Sequence, residues 1–172
     1  MSYKGKIYVI CHETFDVKAY NKLKDMRQTD DSQFNFIDSL SLSVQLNVLN
    51  DEELKLLLYK NMDEADIVLI LLSKKVKSMR KFVKWQVEYA INQEMPIICI
   101  NNSPLRSMDY SITPTKLKKR RSLFISYDSE VLELACMNWV QSNKKHSDMG
   151  ENIPYCYDKA VYDELNAETN IL

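Results

Sequence analysis

Side chains able to bind a polar ligand or move a proton gather where short apolar runs end. After Lys6–Cys11 (KIYVIC) stand His12, Glu13, Thr14, Phe15 and Asp16. After Phe34–Ile37 stand Asp38 and Ser39, and Ser73 and Lys74 close the run DIVLILLS that begins at Asp66. Asn101 and Asn102 end PIICIN. An imidazole, carboxylates, hydroxyls and amides in such places suit hydrogen bonding and proton transfer. Each also has a plainer use: a histidine after a buried strand can satisfy a backbone carbonyl, and Phe15 can staple the first helix to the body.

Several chemistries are absent. The chain has only Gly5 and Gly150, and neither lies between a strand and a helix, so it carries no glycine-rich phosphate loop of the Rossmann or P-loop kind. HETFD lacks the small residues of a flavin-phosphate turn, and no lysine follows the strand ending at Tyr127, as a phosphoacceptor receiver would require. The four cysteines, Cys11, Cys99, Cys136 and Cys156, form no C-x-x-C pair, which removes zinc spacing and points to small buried hydrophobes in a reducing compartment.

Positioning these residues falls to an alternation of apolar runs and amphipathic segments, the signature of a parallel sheet with helices on both faces. The strands are Lys6–Cys11, Phe34–Ile37, the continuous apolar run Asp66–Ser73 at the centre, Pro96–Asn101 and Ser122–Tyr127. Helices are predicted over Val17–Arg27 with Asp16 as N-cap, from Asn50 or Asp51 through Met62, over Ser78–Gln93, in a short piece within Pro104–Arg121, and from Asp128 or Ser129 onward. The expectation is a three-layer, flavodoxin-like α/β fold with five mainly parallel strands and five helices. Between Ser41 and Val48 the strictly alternating S-L-S-V-Q-L-N-V reads either as a half-buried edge strand or as an ordered loop covering a ligand site or a partner. The basic run Lys116, Lys118, Lys119, Arg120 and Arg121 reads as a solvated helix face or as a site for phosphate or acidic partners.

At 172 residues the chain suffices for one domain. The reading assigns residues 1–145 to the α/β domain and 146–172 to a tail whose short helix, built on Tyr155, Tyr157, Val161, Tyr162 and Leu165, docks on the domain or on a partner. With 23 basic against 24 acidic residues there is no global field to draw nucleic acid. The run Ile7–Cys11 is too short for a signal-peptide core or a membrane span, so a cytoplasmic location is expected.

The segment from Ser73 is the most specific. Ser73-x-x-x-x-Ser78 is followed by M-R-K-F-V-K-W-Q-V-E-Y-A and then by I-N-Q-E-M-P-I-I-C-I. This resembles TIR-like domains, in which a strand ending in serine leads through a short loop to an aromatic residue, a glutamate three or four positions on, and a "KPII" strand. The resemblance covers Lys6 to Asn102 well and is strongest to the TIR-like subunit of Thoeris anti-phage systems. It implies that NAD⁺ is substrate rather than cofactor, entering at the strand ends, and that its nicotinamide–ribose bond breaks through a cation-like sugar stabilised by a carboxylate. Phe82 matches the aromatic position and Gln86 the glutamate; His12, Glu13, Phe15, Asp38, Ser39 and Ser73 fall where such a site is lined, with Phe15 placed to stack on an adenine or nicotinamide ring.

Gln86 therefore departs from the family at the position that carries the chemistry, since an amide keeps the shape of glutamate and loses its charge. Three explanations stay open: a deliberate Glu→Gln substitution, a natural inactive homologue, or a register in which Glu88 acts. Residues 86 and 88 lie about 200° apart around the helix, and the apolar stripe of Phe82, Val83, Val87, Ala90 and Ile91 selects Gln86. The resemblance implies an NAD⁺-processing enzyme that, on a phage-derived trigger, makes an ADP-ribose-derived signal, cyclic or conjugated, for a separate effector protein, with this chain inactive as written. The alternative is a non-catalytic TIR-like assembly or ligand-binding module. Self-association is also expected, through the alternating segment and the tyrosine-rich tail.

Overall fold

A computed structural model describes residues 2–37 and 48–169. Its elements are β1 (Lys6–Ile10), α1 (Val17–Lys24), β2 (Asn35–Ile37), α2 (Asp51–Asp63), β3 (Ile67–Leu72), α3 (Lys74–Lys77), α4 (Lys81–Asn92), β4 (Ile97–Asn101), β5 (Ser122–Ile125), α5 (Ser129–Asp148), β6 (Pro154–Cys156) and α6 (Lys159–Thr169). One sheet runs in the order β2-β1-β3-β4-β5-β6, and every pairing in it is parallel.

The five-stranded expectation is corrected to six. Pro154–Cys156 pairs with β5 in the register Ser122↔Pro154 and Phe124↔Cys156, so part of the tail joins the sheet. Proline is tolerated there because β6 is an edge strand that has a free side. Two helix limits also move. The first helix ends at Lys24 where Arg27 was expected. The predicted helix Ser78–Gln93 starts later, as α4 at Lys81, and the single turn α3 precedes it, Met79 adopting a left-handed backbone (φ 49°) between the two. The alternating segment lies outside the described residues up to Asn47, and Val48, its last residue, is 83% exposed.

Alternation along the strands builds two cores. Ile7, Val9, Ile67, Leu69, Leu71, Ile98, Ile100, Leu123 and Ile125 face α1 and α5, with Tyr20, Leu132 and Trp139. Tyr8, Ile10, Val68, Ile70, Leu72, Cys99 and Phe124 face the other way, toward Met62 of α2, Val76 of α3, and Val83, Val87 and Ala90 of α4. All six residues of β3 are buried, as a strand covered on both faces requires. Helix α2 begins with a capping box: the Asn50 side chain accepts from Glu52 N–H and Glu53 N–H, and the Glu53 carboxylate accepts from Asn50 N–H.

This topology fixes where a ligand can enter. From β1 the chain leaves to α1 on one face and reaches β2; from β3 it leaves through α3 and α4 on the opposite face and reaches β4. The two connections leave on opposite faces, so the carboxyl ends of β1 and β3 form the switch point at which open α/β sheets place their ligand crevice.

Candidate functional site

The two loops at the switch point are tied together by one buried carboxylate. Asp16, 5% exposed, accepts the backbone N–H of His12 at 2.9 Å and the hydroxyl of Ser73 at 2.9 Å. The predicted N-cap role of Asp16 is not fulfilled by its side chain, which makes no capping bond to α1. It is spent on the longer-range tie instead. Ser73 in turn caps α3, its hydroxyl accepting from Val76 N–H at 3.1 Å, so donor and acceptor functions of that hydroxyl are both used within the fold.

His12, 4% exposed, is held by its own loop. Nδ1 accepts the backbone N–H groups of Thr14 at 3.2 Å and Phe15 at 3.4 Å. A nitrogen accepting those donors carries no proton, so the ring proton sits on Nε2, which makes no hydrogen bond among the described residues. His12 is thus a neutral imidazole offering one N–H. The Glu13 carboxylate lies 3.7 Å from Nδ1, and in this tautomer the approach is not an ion pair. Phe15 is 60% exposed, with its ring edge-on to His12 at 4.9 Å between centroids and with the Lys75 ammonium 4.1 Å over it. The cluster therefore presents an N–H donor, an aromatic face, a half-buried carboxylate and an ammonium at one strand-end crevice. That set suits a ligand combining a flat ring, hydroxyls and negative charge.

Gln86 belongs to a different environment. It is 6% exposed, its Oε1 accepts from the hydroxyl of Tyr8 at 2.8 Å, and its Nε2 donates to the carbonyl of Phe82 at 2.9 Å. Burial pushes the Tyr8 phenol far above its ordinary value, first through desolvation, so the hydroxyl stays a donor. Glu88 points elsewhere, forming an ion pair with Lys116. Phe82 packs edge-on against Trp85, with centroids 5.5 Å apart, and Lys81 and Lys55 lie over this pair.

Of the residues singled out from the sequence, His12, Glu13, Phe15 and Ser73 come together. No hydrogen bond or ring contact among the described residues joins Gln86 or Phe82 to them, and Asp38 and Ser39 lie outside the described residues. Sequence reasoning missed Lys75, one position beyond the Lys74 it named. Asn101, named among the strand-end polar residues but given no role, is fully buried at the end of β4 and donates to Leu105 O and Ser107 O, while its Oδ1 has no partner among the described residues. Among the described residues no group of three or more His, Cys, Asp or Glu is arranged to hold a metal ion, and no helix is long and apolar enough to cross a membrane.

The model of the family described as Thoeris protein ThsB, TIR-like domain, matches residues 2–106, a span running from before β1 to just past β4. No curated protein matches the chain.

Proposed function

The chain belongs to the TIR-like domain family of the Thoeris protein ThsB, and on that premise we propose that the crevice between β1 and β3 binds NAD⁺. Membership supports a role in Thoeris anti-phage defence. The observation that carries the NAD⁺ reading is the strand-end cluster itself, in which the His12 Nε2–H has no partner among the described residues and the Phe15 ring stands exposed beside Lys75, while His12 Nδ1, Asp16 and Ser73 are bonded within the fold. Phe15 stacks on one ring of the dinucleotide, His12 donates to a ribose hydroxyl or pyrophosphate oxygen, and Lys75 balances the phosphate charge.

In the reaction proposed for this scaffold, the bond between the ribose anomeric carbon and the nicotinamide nitrogen breaks. Nicotinamide leaves with the electron pair, and the sugar cation is captured by water or by another nucleophile, giving an ADP-ribose-derived product. That product, cyclic or conjugated, serves as the signal to a separate effector. The cation needs a negative charge beside it, and Gln86 supplies none. Turnover by this chain is accordingly slow, and the Gln86→Glu variant is the test: NAD⁺ titrated into both proteins, with nicotinamide release followed in buffer and in lysate of phage-infected cells. Binding by both and release by the variant supports the reading. Absence of NAD⁺ binding overturns it.

One observation favours a second reading, a binding or assembly module with no turnover. Both polar ends of the Gln86 amide are satisfied inside the fold, and the Nε2–H bond to Phe82 O is one that an ionised glutamate cannot make. Release of nicotinamide by neither protein, with NAD⁺ binding intact, selects this reading.

A further inference from the structure

The amino ends of the strands, opposite the crevice, carry a cleft of about 180 Å³ between the end of α4 and the residues leading into β5 and β6. Arg120 and Arg121 line it together with Asn152 and one carboxylate, Glu94, which forms no ion pair with either arginine among the described residues. Arg121 is fixed on three sides: its backbone N–H donates to Asn152 Oδ1 at 2.8 Å, its Nε to Asn143 Oδ1 at 2.9 Å and its Nη1 to the Glu151 carbonyl at 2.9 Å. All three acceptors are neutral. The nearby Glu151 carboxylate is turned away, accepting from the Tyr155 hydroxyl at 2.8 Å and meeting His146.

A half-buried guanidinium so held is oriented yet not neutralised, and its Nη2 makes no hydrogen bond among the described residues. The guanidinium of Arg120 beside it is likewise unpaired among the described residues, whereas Lys116, which shares a neighbouring hollow with Arg120, is neutralised by Glu88. A rigid arginine fork with unspent donors matches the oxygens of a phosphate better than those of any neutral ligand. The cleft is smaller than the roughly 300–1,000 Å³ that drug-sized ligands occupy, so it admits a phosphate or diphosphate group and not a whole dinucleotide.

We infer that this cleft is an anion site that takes the phosphate moiety of a ligand on Arg121 Nη2 and Arg120, separate from the strand-end crevice. The phosphate can belong to a free small molecule or to a phosphorylated side chain. Two calorimetric titrations at low salt tell these apart, one with inorganic pyrophosphate and one with a phosphoserine peptide. Saturable binding is expected in at least one arm, and the arm identifies the source. The Arg120→Ala variant, altered at an exposed side chain, weakens binding about tenfold or more, and Arg121→Lys, which keeps the charge and loses the fork, does the same. Circular dichroism on both variants verifies folding, and Arg120→Ala carries the test if Arg121→Lys does not fold. Binding in neither arm, or undiminished binding by Arg120→Ala, overturns the assignment.

Discussion

Gln86 and His12 are both nearly buried polar side chains, but their surroundings are finished to different degrees. Around Gln86 every polar atom is matched within the fold: the amide oxygen by Tyr8, the amide nitrogen by Phe82. Around His12 the bonds stop halfway, with Nδ1 committed to the loop and Nε2 without a partner among the described residues, beside an exposed Phe15. Buried polar groups are costly unless paired, so full pairing marks a joint and partial pairing marks a place where something else completes the set. By that criterion position 86 works as a joint between α4 and β1, and the strand-end loop is the place the proposed function gives to the ligand.

The largest expected effect breaks this contrast directly. Gln86→Glu places a carboxylate against the Phe82 carbonyl, a contact it cannot hydrogen-bond, and under the proposed function nicotinamide release rises by roughly 10²-fold or more, measured on single-turnover samples. An unchanged rate means that Tyr8 retains the carboxylate and that the joint outweighs the chemistry.

Next in size is the loop tie. Asp16→Ala leaves the buried His12 N–H and the Ser73 hydroxyl without their acceptor, and urea unfolding shows a loss of about 2–4 kcal/mol. A loss below 1 kcal/mol would mean that the loops hold together without it.

Tyr8→Phe sharpens the account of the joint. It strands the Gln86 Oε1 and costs about 1–3 kcal/mol, while the double variant Tyr8→Phe with Gln86→Met costs less than the sum of the single changes, because both partners are then apolar. Additive costs in this double-mutant cycle contradict the pairing. The smallest effect on stability, within about 0.5 kcal/mol, comes from Phe15→Ala, since that ring is exposed. Its effect falls on the ligand: NAD⁺ affinity drops about tenfold by calorimetry as one stacking surface is lost. Intact affinity removes Phe15 from the site.

The main strands were legible because β1, β3, β4 and β5 are apolar runs whose burial the sequence announces. β6 was not. It has only three residues, begins with proline, and is held by pairing to Ser122–Phe124 and not by a hydrophobic run of its own. The break at Met79 was equally hidden, since a left-handed methionine leaves no glycine or proline to read. At the candidate site, residue types after the strand ends pointed to the loop in which His12, Glu13 and Phe15 stand beside Ser73, and helix phase separated Gln86 from Glu88, whose side chains do point apart. The partners of those residues were out of reach. Asp16 meets Ser73 across 57 positions and Tyr8 meets Gln86 across 78, and no local pattern encodes such pairs. A local rule assigned Asp16 to the helix start, and tertiary structure spent it elsewhere.

That use of Asp16 bears on the entropy of binding. α1 and α3 pack on opposite faces of the sheet, and a crevice between two independently moving loops would have to be ordered by whatever enters it. Ordering each mobile side chain costs on the order of 0.5–1.5 kcal/mol at the moment of association. With one carboxylate bonded to both loops, much of that ordering is completed when the chain folds, and a ligand meets two walls whose spacing is already set.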